Sequence, residues 1–227
     1  MSPRHGPSSG DRKVLTSKYI REAVQAGQSS LRIAGADPSP SLLDSIAAYI
    51  ELLLRWNRKL NLTAITDPRE IVTRNFAESL LAAPWLTADA GRLCDVGSGA
   101  GFPGLALKLV LPAWQVVLLE PTAKKAAFLS EAARTLGLKD VQAERARWEE
   151  TDWPAASFDA ITSRAVGGHT EMAAWAMNQL RPGGKLVFWL GAEDAEDLGR
   201  RSPFSWELSP VPGSRERVLA VATRSAV

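Results

Sequence analysis

At 227 residues, with 45% hydrophobic and 23% charged residues and a formal net charge of +2, the chain is sized for one main domain and carries no overall basic excess that would by itself mark a duplex binder. No uncharged apolar run approaches the roughly 20 residues that a membrane-spanning helix needs, so a soluble protein is expected. The opening stretch has no apolar core of the kind a secretory leader carries. The single cysteine, Cys94, can form no internal disulfide, and both features point to the cytoplasm.

Residues 1–40 read as a partly disordered basic leader: Arg4, Arg12, Lys13, Lys18, Arg21 and Arg32 stand against Asp11 and Glu22. Within it, Thr16 to Gln28 is expected to form a short helix. Apolar residues at Leu43, Ile46, Ile50, Leu53 and Leu60 then fall on one helical face, which predicts a long amphipathic helix over about 41–60. Asp67, Pro68 and Glu70 supply an N-cap, a first-turn proline and an acid, so a second helix is expected from there to about Leu81. Residues 41–90 thus form a helical N-terminal extension.

From Arg92 the texture changes to short apolar strands alternating with helices. RLCDV, QVVLLE, VQAE, FDAITSRAV and KLVFWL read as strands, and PGLALKLVL, TAKKAAFLSEAARTLGL and HTEMAAWAMNQL as the helices between them. Gly137 is placed to cap the second of these helices. FSWELSPV and RERVLAVATR, joined by PGS, predict a terminal hairpin. The expectation for 91–227 is therefore an α/β domain: a mostly parallel seven-stranded sheet with helices on both faces, closed by an antiparallel hairpin.

The first strand runs into Gly97-Ser98-Gly99-Ala100-Gly101-Phe102-Pro103-Gly104, which contains G-x-G-x-x-G. With Glu120 ending the next strand, this pattern is compatible with a dinucleotide. Asp95 ahead of it extends the pattern to D-x-G-x-G-x-G. An acid suits the ammonium and sulfonium of S-adenosylmethionine better than a pyrophosphate, and Pro103 removes an N–H that a phosphate would use. The methyl donor is the favoured ligand and NAD the rival. With the terminal hairpin, the pattern looks like the class I (Rossmann-like) S-adenosylmethionine-dependent methyltransferase fold.

Four ordered blocks resemble a named family, the bacterial 16S ribosomal RNA guanine-N7 methyltransferases RsmG/GidB. They are Trp56-Asn57 with Asn61 to Pro68 (NLTAITDP) and Arg74; Asp95 to Gly104; Lys124 to Leu129; and Ser163-Arg164-Ala165 with Arg181 to Gly184. The resemblance implies methyl transfer from S-adenosylmethionine to the N7 of a guanine, G527, in 16S ribosomal RNA. It implies that Gly97, Phe102, Trp148, Glu149 and Arg164 contact the cofactor, beside Asp95, Gly99, Gly101 and Glu120 from the residue reading. Arg164 is also the candidate catalytic residue, in an electrostatic or positioning role, with the cofactor, an RNA phosphate and the guanine O6 all open as its partner. Asn75, Leu190 and Glu120 depart from the family pattern, which commonly has histidine, lysine and aspartate there.

Guanine N7 has an exposed lone pair, so the transfer needs no general base; alignment and electrostatics suffice. That agrees with a chain whose only histidines are His5 and His169 and which shows no metal-ligand pattern. His169 reads as a helix start. Candidate RNA contacts are Arg55, Arg58, Lys59, Asn61, Arg74, Lys124 and Lys125, while Trp56 either stacks on a base or packs inside. The expected partner is 16S ribosomal RNA or the small subunit, and the expected state a monomer. The alternatives are a methyltransferase acting on a small molecule or protein, and a non-catalytic RNA or ribosome-assembly binding module of the same fold.

Overall fold

The computed structural model describes residues 16–164 and 167–225, so the disorder expected up to about residue 14 lies outside the described residues, as does Ala165 of the fourth block. Two helices, α1 (Ser17–Ala26) and α2 (Gln28–Ile33), replace the single one expected. Gly27 separates them. A Cβ there would meet Val72 Cγ1 at 2.3 Å, so the absent side chain lets the junction press against the helix beyond. Both helices are anchored, by Ile20, Ala23, Val24 and Leu31.

The long helix α3 (Pro40–Leu60) starts on Ser39, whose Oγ accepts from Leu42 N at 3.3 Å, and stops at Asn61, which takes the left-handed conformation at φ 48°. Of its predicted stripe, Leu43, Ile46, Ile50 and Leu53 are buried and Leu60 is partly buried. The Asp67 cap is also as expected, with Oδ1 accepting from Arg69 N and Glu70 N. The helix it opens is not uniform. A short α4 (Pro68–Glu70) widens into a π-helical stretch over Ile71–Ala77 before α5 (Glu78–Leu80) closes it.

Seven strands follow among the described residues: β1 (Arg92–Val96), β2 (Gln115–Leu119), β3 (Val141–Glu144), β4 (Phe158–Arg164), β5 (Leu180–Gly191), β6 (Trp206–Pro210) and β7 (Arg217–Thr223). They lie in the order β3-β2-β1-β4-β5-β7-β6. The terminal hairpin is present, but its second strand is the inner one: β7 inserts between β5 and β6 and runs antiparallel to both. Helices α6 (Gly104–Val110), α7 (Ala123–Thr135) and α8 (His169–Gln179) match the reading, and Gly137 follows α7 with φ 62°. A further helix, α9 (Ala192–Arg201), was not foreseen.

The central strands are buried on both faces, as parallel strands require. Leu93 of β1 packs in the cluster that contains α3, α6 and α7, and its neighbour Cys94 in the cluster under α8 and α9. The N-terminal helices join the first cluster, and α3 packs on α6 and α7. This choice of face matters for the site. Strand order reverses between β1 and β4, opening a crevice at their carboxyl ends, and the loop that follows α3 lines that crevice.

Candidate active site

The crevice is a cavity of about 880 Å³. Its floor is the glycine turn after β1. Gly97, Gly99 and Gly101 have φ of 71°, 56° and 85°, a region that residues with a Cβ rarely occupy. Gly97 N and Ser98 N donate to Leu119 O at 2.8 and 3.1 Å, tying the turn to the end of β2. Directly beyond Leu119, Glu120 is buried; Oε2 accepts from Gly99 N at 3.0 Å and Oε1 from Thr122 N at 2.9 Å.

The N–H groups of the turn decide what it can hold. Gly99 N is taken by Glu120, Gly101 N and Phe102 N by Ser98 O, and Gly104 N by Asp95 Oδ2 at 3.0 Å; Pro103 has none. A pyrophosphate needs such donors free and would face the Glu120 carboxylate besides. The turn is therefore a poor phosphate cradle, although its sequence satisfies the dinucleotide pattern.

Asp95 and Gly101, both expected at the cofactor, do not line the cavity. Asp95 is fully buried beneath it. Its Oδ1 accepts from Thr162 Oγ1 at 2.9 Å and its Oδ2 from Gly104 N, so it staples β4 and the start of α6 to β1. Burial pushes its pKa up to about 6, against the pull of those hydrogen bonds and of Arg164. Gly101 is spent on packing: a Cβ would meet Leu105 Cδ1 at 2.6 Å and the Tyr49 hydroxyl at 3.1 Å.

The remaining walls come from several elements. Trp148 and Glu149 stand on a 3₁₀ turn after β3, with Trp148 tilted against Trp175 at 5.5 Å between centroids. Arg74, Asn75, Lys125, Arg147 and Arg164 reach the cavity from the surrounding helices, loops and strand end. The NLTAITDP segment supplies the side wall through Leu62 to Ile65. It is clamped by Asn57, whose Nδ2 donates to Thr63 O and whose Oδ1 accepts from Thr63 N, both at 2.9 Å. Phe102 lines the cavity from below while packing edge-on to Tyr49 and Phe76.

Tyr49 carries the extension's contribution to the floor: its hydroxyl donates to Ala100 O within the glycine turn. Tyr49→Phe would leave that buried carbonyl without its partner. The expected cost is about 1–2 kcal/mol in urea unfolding, and an unchanged midpoint would show that the contact contributes nothing.

The structure thus gathers Gly97, Gly99, Phe102, Glu120, Trp148, Glu149, Arg164, Arg74 and Lys125 on one cavity. Arg55, Arg58, Lys59, Asn61 and Lys124 lie outside its lining and are exposed. Trp56 is partly buried and packs on Phe128 at 5.8 Å, so it is a packing residue. His169 begins α8 as read, and burial lowers its pKa, opposed by Asp194.

A second cavity of about 710 Å³ adjoins the first and shares Arg164 and Gly167 with it. Between them lies a cluster that the sequence reading missed. Glu78 is buried and its Oε2 accepts from Arg164 Nη2 at 3.3 Å and from Arg217 Nη1; its backbone carbonyl accepts from Trp189 Nε1 at 2.8 Å. The available signal was an acid inside RNFAESL, four residues beyond Arg74 and next to Phe76, Ala77 and Leu80, which are buried with it.

Comparison with known proteins agrees with this geometry. Residues 42–209 match the family model GidB, described as rRNA small subunit methyltransferase G. Among curated relatives, the Ribosomal RNA small subunit methyltransferase G of Xanthomonas campestris (strain B100) is 40% identical over 163 residues, covering 72% of this chain and 75% of the relative. That of Xanthomonas oryzae (strain KACC10331) is 39% identical over 212 residues, covering 91% and 96%. The fold is shared with a SAM dependent methyltransferase from Aquifex aeolicus (TM-score 0.60, 15% identity, 72% of this chain and 97% of that one). It is also shared with the [4+2]-cyclase SpnF (0.62, 15%, 82% and 97%), so fold alone does not name the reaction. The family match rests on sequence over most of the chain: this protein is a member of the ribosomal RNA small subunit methyltransferase G family.

Proposed function

We propose that the larger cavity binds S-adenosylmethionine and that the protein methylates the N7 of a guanine in 16S ribosomal RNA, G527 by family function. The observation that carries the cofactor reading is the turn itself: positive-φ glycines open the floor while every donor named above is already used and a buried carboxylate faces inward. Gly97 and Gly99 would lie against the methionyl part, Glu120 against the ribose hydroxyls, and Trp148 and Glu149 against the adenine. When bound, the cofactor supplies a methyl group activated by its sulfonium. This chain's part is to hold, orient and exclude water, because N7 attacks without first losing a proton.

RNA contact is assigned to the cations around the cavity. Arg74, Lys125 and Arg147 are on its walls, and Arg55, Arg58, Lys59 and Lys124 are exposed nearby on α3 and α7. Leu190, where the family pattern has lysine, is buried against the second cavity, whose cations are Arg164, Arg201 and Arg217.

The decisive experiment is methyl transfer from labelled donor to small subunits of a strain lacking the gene, with N7-methylguanine mapped in the product. Unmethylated guanine would overturn the reading. Removing three charges together, Arg55→Gln, Arg58→Gln and Lys59→Gln, is expected to weaken RNA binding about tenfold or more and to flatten the slope of log affinity against log salt by about 2. An unchanged slope would move the RNA path elsewhere.

A further inference from the structure

Asn75 is 5% exposed and lines the larger cavity, yet neither atom of its side-chain amide hydrogen-bonds any described residue. The sealed side-chain polar atoms that lack a partner among the described residues are Arg164 Nη1, Gln179 Oε1 and Trp206 Nε1. The Asn75 amide is not one of them, so it keeps accessible surface, and the space it borders is the cavity. Asn57 shows the ordinary arrangement for such a group, with both amide atoms bonded to Thr63. A buried amide is costly to leave without a partner, so the Asn75 side chain is complete only when the cavity is filled.

The backbone that carries it is held on every side. Asn75 lies in the π-helical stretch Ile71–Ala77, a wide turn of the kind that recurs at functional sites. On one flank the Phe76 ring packs edge-on to Phe102 at 5.0 Å and to Tyr49 at 5.3 Å. On the other, Arg74 O accepts from Arg164 Nη2 at 2.9 Å, which ties this turn to the end of β4, and Asn75 O accepts from the Ser79 hydroxyl. The main chain is therefore committed and the amide alone is not.

We propose that Asn75 contacts the target base, its Nδ2–H donating to O6 of the guanine while N7 faces the methyl group. The proposal rests on the guanine-N7 reading above. In that reading the ribose and adenine of the cofactor take the ends of β2 and β3, so its reacting end points toward β4, where Asn75 stands. O6 adjoins N7 on the same edge of the base, and a donor beside the methyl group meets it there. Charge selects the amide for this contact. As N7 gains the methyl carbon, the carbon–sulfur electron pair returns to sulfur and the positive charge passes to the purine. A cation at O6 would oppose that change, whereas a neutral N–H recognises the oxygen without doing so. The carboxylate of the cofactor, by contrast, has Arg74, Lys125, Arg147 and Arg164 on the same walls to meet it. The Ser98 hydroxyl, another neutral donor of the lining, is already spent on Asp95 O.

The test uses the full chain, small subunits lacking the methyl group, and three variants. Asn75→Leu should lower kcat/KM for subunits by 30-fold or more while S-adenosylmethionine affinity, measured by calorimetry, stays within threefold. Asn75→Asp has the size and shape of the native residue but offers O6 only acceptors, so its loss should be at least as large. Asn75→His, the residue that the family pattern has at this place, keeps an uncharged N–H at pH 8 and should recover at least fivefold of the leucine loss. Should the leucine variant fail to fold, the aspartate and histidine variants carry the comparison. An aspartate variant with near wild-type turnover would show that no donor is needed and overturn the proposal. Cofactor affinity that falls in step with kcat/KM would assign the amide to the cofactor and overturn it equally. If the wild-type protein leaves guanine N7 unmethylated, the function reading falls, and this contact with it.

Discussion

Asp95→Ala is expected to lose about 3–4 kcal/mol of folding stability and, with it, measurable cofactor binding. The substitution strands two buried donors at once, Gly104 N–H and the Thr162 hydroxyl, and leaves a void at the junction of β1, β4 and α6. Each orphaned group costs on the order of 1–3 kcal/mol, partly offset because a charged carboxylate no longer has to be buried. Asp95→Asn separates these terms. Its amide can accept from Gly104 N–H and donate to the Thr162 oxygen, so at pH 8 it should stay within about 1 kcal/mol of wild type.

The comparison also carries a sign. The folded-state pKa of about 6 is raised above the ordinary 3.8, so the folded protein binds this proton more tightly than the unfolded chain. Through this group, stability rises as pH falls from about 6 to about 4, and the penalty is fully present above 6. Asparagine has no such term. Wild type should gain on Asp95→Asn over that window in urea titrations at matched pH. A gap between the two that does not change with pH would contradict the buried, partly protonated carboxyl, and an alanine variant as stable as wild type would contradict its role as a staple.

Gly99→Val should lower affinity for S-adenosylmethionine at least 100-fold in calorimetry while leaving the far-ultraviolet circular dichroism that of a folded protein. Gly99 sits at φ 56°, where a β-branched residue is strained by about 1–3 kcal/mol. A Cβ at this position would meet only Gly97 O, at 3.7 Å, so it clashes with little of the protein itself. What it occupies is cavity. Strain also threatens the Gly99 N–H to Glu120 bond that orients the acid. Retained affinity would mean that the ligand lies elsewhere along the crevice, and the assignment of the floor would be withdrawn.

Much of this was legible in the residues because the relevant signals are local. RLCDV and VQAE match their strands residue for residue, and Asp67-Pro68 marks a helix start because capping is decided within four residues. Local signals also misled. Asp95 looked like a ligand group because its sequence neighbours are glycines, yet its partners include Thr162, 67 residues away, and the fold turns it inward. Glu78 and Arg217 are 139 residues apart, a pairing that no periodicity reports. Helix α9 escaped because only Ala195 and Leu198 of its ten residues are buried, too few to trace an apolar stripe. The wide turn at Ile71–Ala77 keeps the composition of an ordinary helix, so nothing in its sequence sets it apart.

The placement of β7 bears on how the molecule is made. Because the strand later in sequence lies between two earlier ones, β5 and β6 have no partner in common until Arg217–Thr223 arrives. A growing polypeptide would meanwhile present two bare strand borders, each a template for pairing with the wrong neighbour. Arg217 opens that inserted strand and is also the second cation on Glu78, so the strand that joins β5 to β6 also completes the pairing of the buried acid.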